Sequence, residues 1–471
     1  MPQSPRLCLA TLDRLAPEVR RFAYDREAVR GGVVHFGPGA FHRAHQAWFF
    51  DRLLASDPRW GICGVALKSP TLPGALTPQD GLYVLAELER EARFELVGAL
   101  TEVLFAPAAE TTVRRRLRDP ATRWVGLTVT EKGYGLTAAG ALDETNPDIA
   151  HDLARPEDTP ASAIGWILAG LADRRAAGRR PFVVASCDNL PSNGRRLRAG
   201  VLEMARRRDP ALAAWIEGEV RFPCSMVDSI TPAADDALLA RVEAAAGLRD
   251  AAPVQREAFC QWVIEDDLGP DAPDLGSVGV TLTDDVEGYE AAKLRLLNAA
   301  HSSLAYLGLL RGRETVAEAM ADPELATFAR GLMAEAIAPL LRPPKGLDLP
   351  AYIDAILARF ANPAIRHRLA QIAMDGSQKL PIRLLPSVRQ ALDAGRPLDR
   401  LVLPLAAWTR FLAREFAAGR PVQDPLAARL AAALHADPDF GLLAISEVFP
   451  ADLAQAPAFR AAFANALASL A

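Results

Sequence analysis

Cysteine is scarce in this chain of 471 residues. Cys8, Cys63, Cys187, Cys224 and Cys260 are odd in number, scattered, and form no C-x-x-C pair. That argues against a disulfide framework or a structural zinc site, and for a reducing compartment. Long hydrophobic runs are missing too. The longest uncharged stretch, Leu296 to Leu310, is too short and too polar to span a bilayer. No basic head followed by an apolar core opens the sequence, so no signal peptide is expected. A basic stripe with interleaved aromatics is absent, and a formal charge of -5 gives a nucleic-acid partner little to hold.

Lysine is the other shortage. It occurs only at Lys68, Lys132, Lys293, Lys345 and Lys379, while arginine fills every other basic position. Such a skew reflects genome base composition, yet it draws the eye to the lysines that remain. An amine can lose its proton, and a guanidinium in practice cannot. Half the residues are apolar and 24% charged, the composition of a globular protein. The length calls for two domains. A cytoplasmic enzyme or metabolite-binding protein is expected.

The first half alternates short apolar runs with helical patterns. Strands are expected at Gly32 to Phe36, Gly61 to Leu67, Trp124 to Thr130, Pro181 to Cys187 and Ser277 to Leu282. Helices are expected at Phe41 to Ala55, Ala161 to Arg175 and Asn193 to Arg207. This alternation predicts a largely parallel sheet covered by helices. After about residue 286 Ala- and Leu-rich helical segments follow one another, parted by the Pro/Gly-containing connection Leu341 to Pro350. The fold class is therefore α/β: a Rossmann-like, mostly parallel sheet domain over 1–285, then a mainly α-helical substrate and catalytic domain over 286–471.

The stretch "VVHFGPGAFHRAH" begins like a dinucleotide-binding turn. An apolar run enters Gly37 and Gly39 in G-x-G spacing and feeds a helix, so backbone N–H groups can approach a pyrophosphate. The third glycine is lacking, and His42 stands there. Also lacking is an acid at the end of the second strand, Val65-Ala66-Leu67-Lys68-Ser69, to take a ribose hydroxyl pair. Lys68 could instead meet a 2′-phosphate, which leaves NADP open beside NAD. His42 and His45 have no third ligand nearby in sequence, and no metal is expected.

The densest chemistry lies in "YEAAKLRLLNAAHSSLAYLG", where Lys293, Asn298 and His301 form K-x4-N-x2-H. On an ideal α-helix Lys293 and His301 are roughly 80° apart and Asn298 about 60° from His301, so all three can share one side. Glu290 sits one turn before Lys293, within reach of its ammonium. This helix is open to two interpretations. One is a partly exposed polar face at a domain junction. The other is a lysine in an apolar cleft, its pKa lowered by desolvation, acting as a general base beside an amide and an imidazole.

Seven motifs follow one another along nearly the whole chain: "GPGAFHRAHQA", "LTVTEKGYG", "SCDNLPSNG", "FPCSMVDSITP", "QWVIEDD", "KLRLLNAAHS" and "IAMDGSQKLP". On these the sequence resembles the polyol-specific long-chain dehydrogenases, the mannitol dehydrogenase family, which includes fructuronate (mannonate) reductases. In that family G-x-G is followed by F-H-R-A-H, so His42 fits its pattern. The resemblance implies that Lys293 takes the proton of the reacting hydroxyl, and that Asn189 and Asn298 hold the developing oxyanion. It implies that His301 bonds the substrate and that Glu290, with Glu131, passes the proton to solvent. It sets Asp228 near the nicotinamide ribose and Lys379 at the distal substrate hydroxyls. The expected cofactor-binding set is Gly37, Gly39, Ala40, Phe41, Lys68, Thr130 and Asp228, for NAD with NADP left open. Plainer roles stand beside two of these: Glu131 pairing with Lys132, and Asp228 capping a turn.

For the substrate, "GICGVALKSPTLPGALTPQDGLY" resembles the mannitol and general hexitol members, so hexitol/ketose chemistry is expected. Against it, Arg366-His367-Arg368 and Gln371 precede Lys379, and a positive patch could receive a uronate carboxylate. Arg366, Gln371 and Lys379 are the expected substrate-binding residues, and a fructuronate reductase is the alternative. A non-catalytic nucleotide-binding sensor is the rival from another class. A zinc-dependent polyol dehydrogenase would need a Cys/His/Glu cluster that the sequence does not offer. The resemblance implies a monomer that meets a small polyol, ketose or uronate, with no nucleic acid or membrane partner.

Overall fold

A computed structural model describes residues 4–137 and 139–470. The chain divides into two compact units, Met1–Val286 and Glu287–Ala471.

The first unit is built on five parallel strands: β1 Val33–Phe36, β2 Ile62–Ala66, β3 Leu100–Phe105, β4 Trp124–Leu127 and β5 Val183–Ser186. Their order in the sheet is β3-β2-β1-β4-β5. The runs "VVHF", "WVGL" and "VVAS" are buried throughout, as strands covered on both faces must be. Successive side chains serve opposite cores. Val34, Phe36, Val125 and Val184 pack with Trp166, Ile167 and Leu197 from helices Ala163–Ala176 and Asn193–Arg208. Val33, Ile62, Trp124 and Val183 pack with Phe49, Phe50 and Trp262 on the other side. Two smaller sheets complete the unit. One orders Val19–Arg20, Arg93–Val97, Tyr83–Leu88 and Val254–Glu257; the other orders Thr281–Thr283, Gln261–Glu265 and Ser225–Asp228.

Two local expectations are corrected. The helix expected over Phe41 to Ala55 is broken into Ala40–Ala44 and Gln46–Leu53, with His45 at φ -122, ψ -90 between them. The His45 ring bonds the carbonyl of Gln261 at 2.9 Å and packs against Phe41, Phe49 and Trp262. Those contacts hold residue 45 out of helical register. The strand expected over Ser277 to Leu282 is mostly a 3-10 turn, Leu275–Val278, and strand resumes only at Thr281–Thr283. Asp274 caps that turn by accepting from the Ser277 N–H, and Gly279 leaves it at φ 94.

The second unit is helical, and among its described residues the only β pairing is the isolated bridge Thr315–Arg368. Its central helix, Ala299–Leu310, is buried all round from Ala299 to Gly308, which marks a core helix rather than a surface one. It packs against Asp399–Ala417 and the short helix Leu369–Ile372. Among the described residues no helix is long and apolar enough to cross a membrane.

Candidate functional site

In the first unit the chain runs from β1 outward to β2 and β3, then crosses to β4 and β5 on the other side. The carboxyl ends of β1 and β4 therefore flank the point where the strand order reverses, where open α/β sheets bind ligands. Gly37 leaves β1 at φ +81, and a Cβ there would lie 2.2 Å from the Thr128 carbonyl oxygen. Only glycine fits. Its N–H bonds Val65 O at 2.9 Å, and the Thr128 hydroxyl donates to its carbonyl at 2.6 Å. Gly39 differs: the nearest heavy atom to its would-be Cβ is 4.0 Å away. The turn is thus tied down on one side and clear on the other, a cradle that fits a dinucleotide pyrophosphate. Ala40 and Phe41 open the helix that follows.

Two histidines support this turn from below. The rings of His35 on β1 and His42 stack at 3.4 Å, both buried. His35 Nε2 lies 2.8 Å from the Thr128 hydroxyl. Burial lowers the His35 pKa to about 3 and that of His42 well below its ordinary value, with His35 and Arg43 adding to the effect on His42. Both rings are neutral props. Among the described residues no group of three or more His, Cys, Asp or Glu side chains is placed to hold a metal ion.

Beyond β4, Thr130 sits at φ 67, ψ 164, a region that a β-branched residue occupies only under constraint. The constraint is Asp188, just past β5. Its carboxylate accepts the N–H groups of Val129 and Thr130, each at 2.9 Å, and the Tyr134 hydroxyl at 2.7 Å. Asn193 ties the loop from behind, donating to the carbonyls of Asp188 and Ser225. Exposed Asn189 thus projects from an anchored loop, and exposed Glu131 directly follows the strained residue. Asp188, Tyr134 and Asn193 lie within motifs quoted above without having been singled out. Their signal was a run of polar residues directly after a buried strand. Asp228 ends its strand, buried, opposite Gln261. Lys68 is exposed, and its ammonium is bonded to Asp148.

In the second unit the ideal α-helical geometry assumed for Lys293, Asn298 and His301 is replaced. Residues Lys293–Asn298 form a π-helical turn between Val286–Ala292 and Ala299–Leu310. At about 4.4 residues per turn, five residues leave Lys293 and Asn298 roughly 50° apart, against roughly 140° in an α-helix. Three α-helical residues then bring His301 back to within roughly 10° of the Lys293 direction. The wide turn therefore aligns the triplet better than the sequence alone suggested. Arg295, in the same turn, donates from Nε to the Ser387 hydroxyl at 2.9 Å and fastens it to a neighbouring helix, Leu385–Asp393.

His301 lies buried, stacked on Phe360 at 5.3 Å and edge-on to His367 at 4.5 Å. Its Nε2 has no hydrogen-bond partner. Its pKa is pushed well down by burial, and further by His367, Arg383, Arg359 and Lys379. The imidazole is therefore neutral. Lys379 is half-buried, and its ammonium donates to the carbonyls of Ile372 (3.2 Å) and Met374 (2.6 Å). Burial and Arg383 lower its pKa, opposed by Asp375 and Asp424. Lys293, Asn298 and Glu290 are half-buried, whereas Arg366 and Gln371 are exposed.

Comparison with known proteins shows the family of the chain. The mannitol dehydrogenase Rossmann domain family matches residues 31–275, and the mannitol dehydrogenase C-terminal domain family matches residues 285–471. The D-mannonate oxidoreductase of Escherichia coli is 43% identical over 93% of this chain and 92% of its own. A mannitol 2-dehydrogenase of Cereibacter sphaeroides is 41% identical over 95% of each. Among solved structures, the Pseudomonas fluorescens mannitol 2-dehydrogenase in ternary complex with NAD and D-mannitol is similar at a TM-score of 0.82. It is 37% identical, across 99% of this chain and 96% of that one.

Asp188→Asn removes one of the two carboxylate oxygens that face backbone N–H groups. Urea denaturation should show a loss on the order of 2 kcal/mol. Adding Thr130→Gly should restore part of it, because glycine holds the positive φ without the carboxylate. A second expectation concerns pH. As pH falls below 6.5 the unfolded chain takes up a proton that folded His35 refuses until about pH 3. Stability should therefore drop across that window, by up to about 1.4 kcal/mol per pH unit from this ring. Urea midpoints measured from pH 7 to pH 4 should fall less steeply in His35→Asn than in the parent.

Proposed function

Because the chain belongs to the mannitol dehydrogenase family, we propose that it is a nicotinamide-dependent oxidoreductase interconverting a hexitol and its ketose, of the D-mannitol/D-fructose type. The observation that carries this reading is the π turn, which aligns Lys293, Asn298 and His301 on a helix rich in Leu and Ala.

In the oxidising direction Lys293, as the free amine, takes the hydroxyl proton of the reacting carbon. The C–H bond of that carbon breaks with its electron pair, and the carbonyl forms. The nicotinamide, when bound, accepts that hydride. Asn189 and Asn298 are assigned as donors to the oxygen whose charge grows as the proton leaves, a task for fixed dipoles rather than for charge. Neutral His301 keeps an unpaired Nε2 for a neighbouring hydroxyl. Glu290 and Glu131 are assigned to carry the proton from Lys293 to water, and Lys379 to meet the distal hydroxyls. Gly37, Gly39, Ala40, Phe41, Thr130 and Asp228 are assigned to the cofactor. NAD is favoured over NADP because the ammonium of Lys68 is already engaged by Asp148. The protein is proposed to work as a monomer in the cytoplasm.

A specific feature favours fructuronate reduction as a second reading. The groups that act most strongly on His301 are all basic: His367, Arg383, Arg359 and Lys379. A sugar carboxylate would be welcome there, with Arg366 nearby in sequence.

A panel of mannitol, sorbitol, arabinitol, fructose, fructuronate and mannonate, each with both nicotinamide cofactors, separates the readings. Turnover of a hexitol with its ketose is expected, and turnover confined to the uronate pair would replace the first reading with the second. Cofactor binding without turnover of any substrate would point to a sensor. Lys293→Ala should lower kcat by several powers of ten with cofactor affinity almost unchanged. Lys293→Arg should be nearly as damaging, since arginine stays protonated. Treatment with a strong chelator should leave the rate intact.

A further inference from the structure

The π turn is gripped by a residue outside the family motifs quoted above. Arg383 closes the helix Gly376–Arg383, one turn after Lys379. From there its Nη1 reaches the helix that bears the proposed general base. It donates to the Ser302 hydroxyl at 2.9 Å and to the Asn298 carbonyl at 3.4 Å. Asn298 is the last residue of the π turn, and Ser302 follows His301 directly. Both bonds therefore fall where the wide turn gives way to α-helix, on either side of the imidazole.

The way this guanidinium is buried is informative. Arg383 is half-buried, its two acceptors are neutral, and its Nε is buried with no partner. Desolvation lowers its pKa, with only Tyr306 opposing. Burying a cation against neutral acceptors is costly, and an apolar side chain would join two helices more cheaply. A charge-assisted grip is stiffer and more directional than apolar packing. The joint it holds is one where a side-chain direction shifts by tens of degrees if the turn rewinds.

We propose that Arg383 is a positioning residue: by holding the Asn298 carbonyl and the Ser302 hydroxyl it keeps the π turn wound, and so keeps the Asn298 carboxamide and the His301 imidazole aligned with Lys293. The catalytic part rests on the function proposed above, whereas the conformational part does not. Misdirected groups slow the chemical step more than they weaken binding.

The test uses the full-length protein with Arg383→Met, Arg383→Lys and Ser302→Ala. In Arg383→Met, hydrogen exchange should speed up at the amides of residues 296–303 while the parallel sheet of the first unit keeps its protection. Its kcat should fall on the order of a hundredfold, with KM for the polyol changing only a few-fold and cofactor affinity unchanged. Ser302→Ala removes the shorter bond with a minimal change of shape and should lower kcat about tenfold, so the proposal remains testable if the methionine variant folds poorly. The pH profile separates charge from grip. The groups acting on His301 are His367, Arg359 from the helix Leu349–Phe360, and Lys379 and Arg383 from their shared helix. Without the Arg383 charge His301 protonates more readily, so the pH at which its ring takes up a proton, followed by NMR, should rise in Arg383→Met and stay in place in Arg383→Lys. Unchanged exchange at residues 296–303 together with kcat within twofold of the parent in both Arg383→Met and Ser302→Ala would overturn the proposal. If no substrate in the panel is turned over, the functional reading fails while exchange at residues 296–303 still decides the role of Arg383.

Discussion

One extra residue's worth of winding at Lys293–Asn298 is the constraint on which the alignment of Lys293, Asn298 and His301 depends. An α-helix would spread Lys293, Asn298 and His301 over more than a third of a turn, whereas the π turn gathers them within roughly 60°. A π turn is the less favourable winding, and it persists where the surroundings over-determine it. Here they do so from two sides: Arg295 reaches out to Ser387, and Arg383 reaches in to the Asn298 carbonyl. A second π turn, Leu332–Ile337, packs against the first. The polar groups are carried by a helix that is otherwise core, so their directions are set by packing rather than by solvent.

The first unit uses a different device toward a similar end. Its sheet supplies a fixed switch point, and the loops leaving β1, β4 and β5 are then locked by single polar contacts. Gly37 admits the Thr128 carbonyl where no other residue could. Asp188 holds Thr130 in a backbone region that threonine would leave if released. Gly37 and Thr130, both at positive φ, stand in the loops that leave β1 and β4. Strain of the kind Thr130 carries is costly, and it persists where the surroundings hold it.

How far the sequence could be read follows from these devices. Four strands of the parallel sheet were legible because they are short apolar runs, and Gly37 because a strand ending in G-x-G has few other uses; the edge strand Leu100–Phe105, interrupted by Thr101 and Glu102, was not. The strands Tyr83–Leu88 and Arg93–Val97 were not anticipated, since Glu87, Arg93 and Glu95 interrupt the apolar pattern. In the fold Glu87 meets buried Arg256, a partner 169 positions away. Lys293, Asn298 and His301 stood out as polar residues in an apolar helix. The π turn did not, because its residues have the same hydrophobic spacing as an α-helix would. Thr130 gave no sign of its backbone either: positive φ is foreshadowed by glycine or asparagine, and here the cause is a carboxylate 58 residues further on. Arg383 was illegible for the same reason. A lone arginine at a helix end reads as solvated, and only the fold shows what it grips.

The π turn also bears on how this helix can change over evolutionary time. A one-residue deletion between 293 and 298 would convert the wide turn to ordinary winding. Everything downstream would then keep its direction relative to Lys293 to within roughly 10°, whereas rewinding the turn at constant length would swing it by roughly 90°. A change of length by one residue is thus a change that this segment can take up by rewinding.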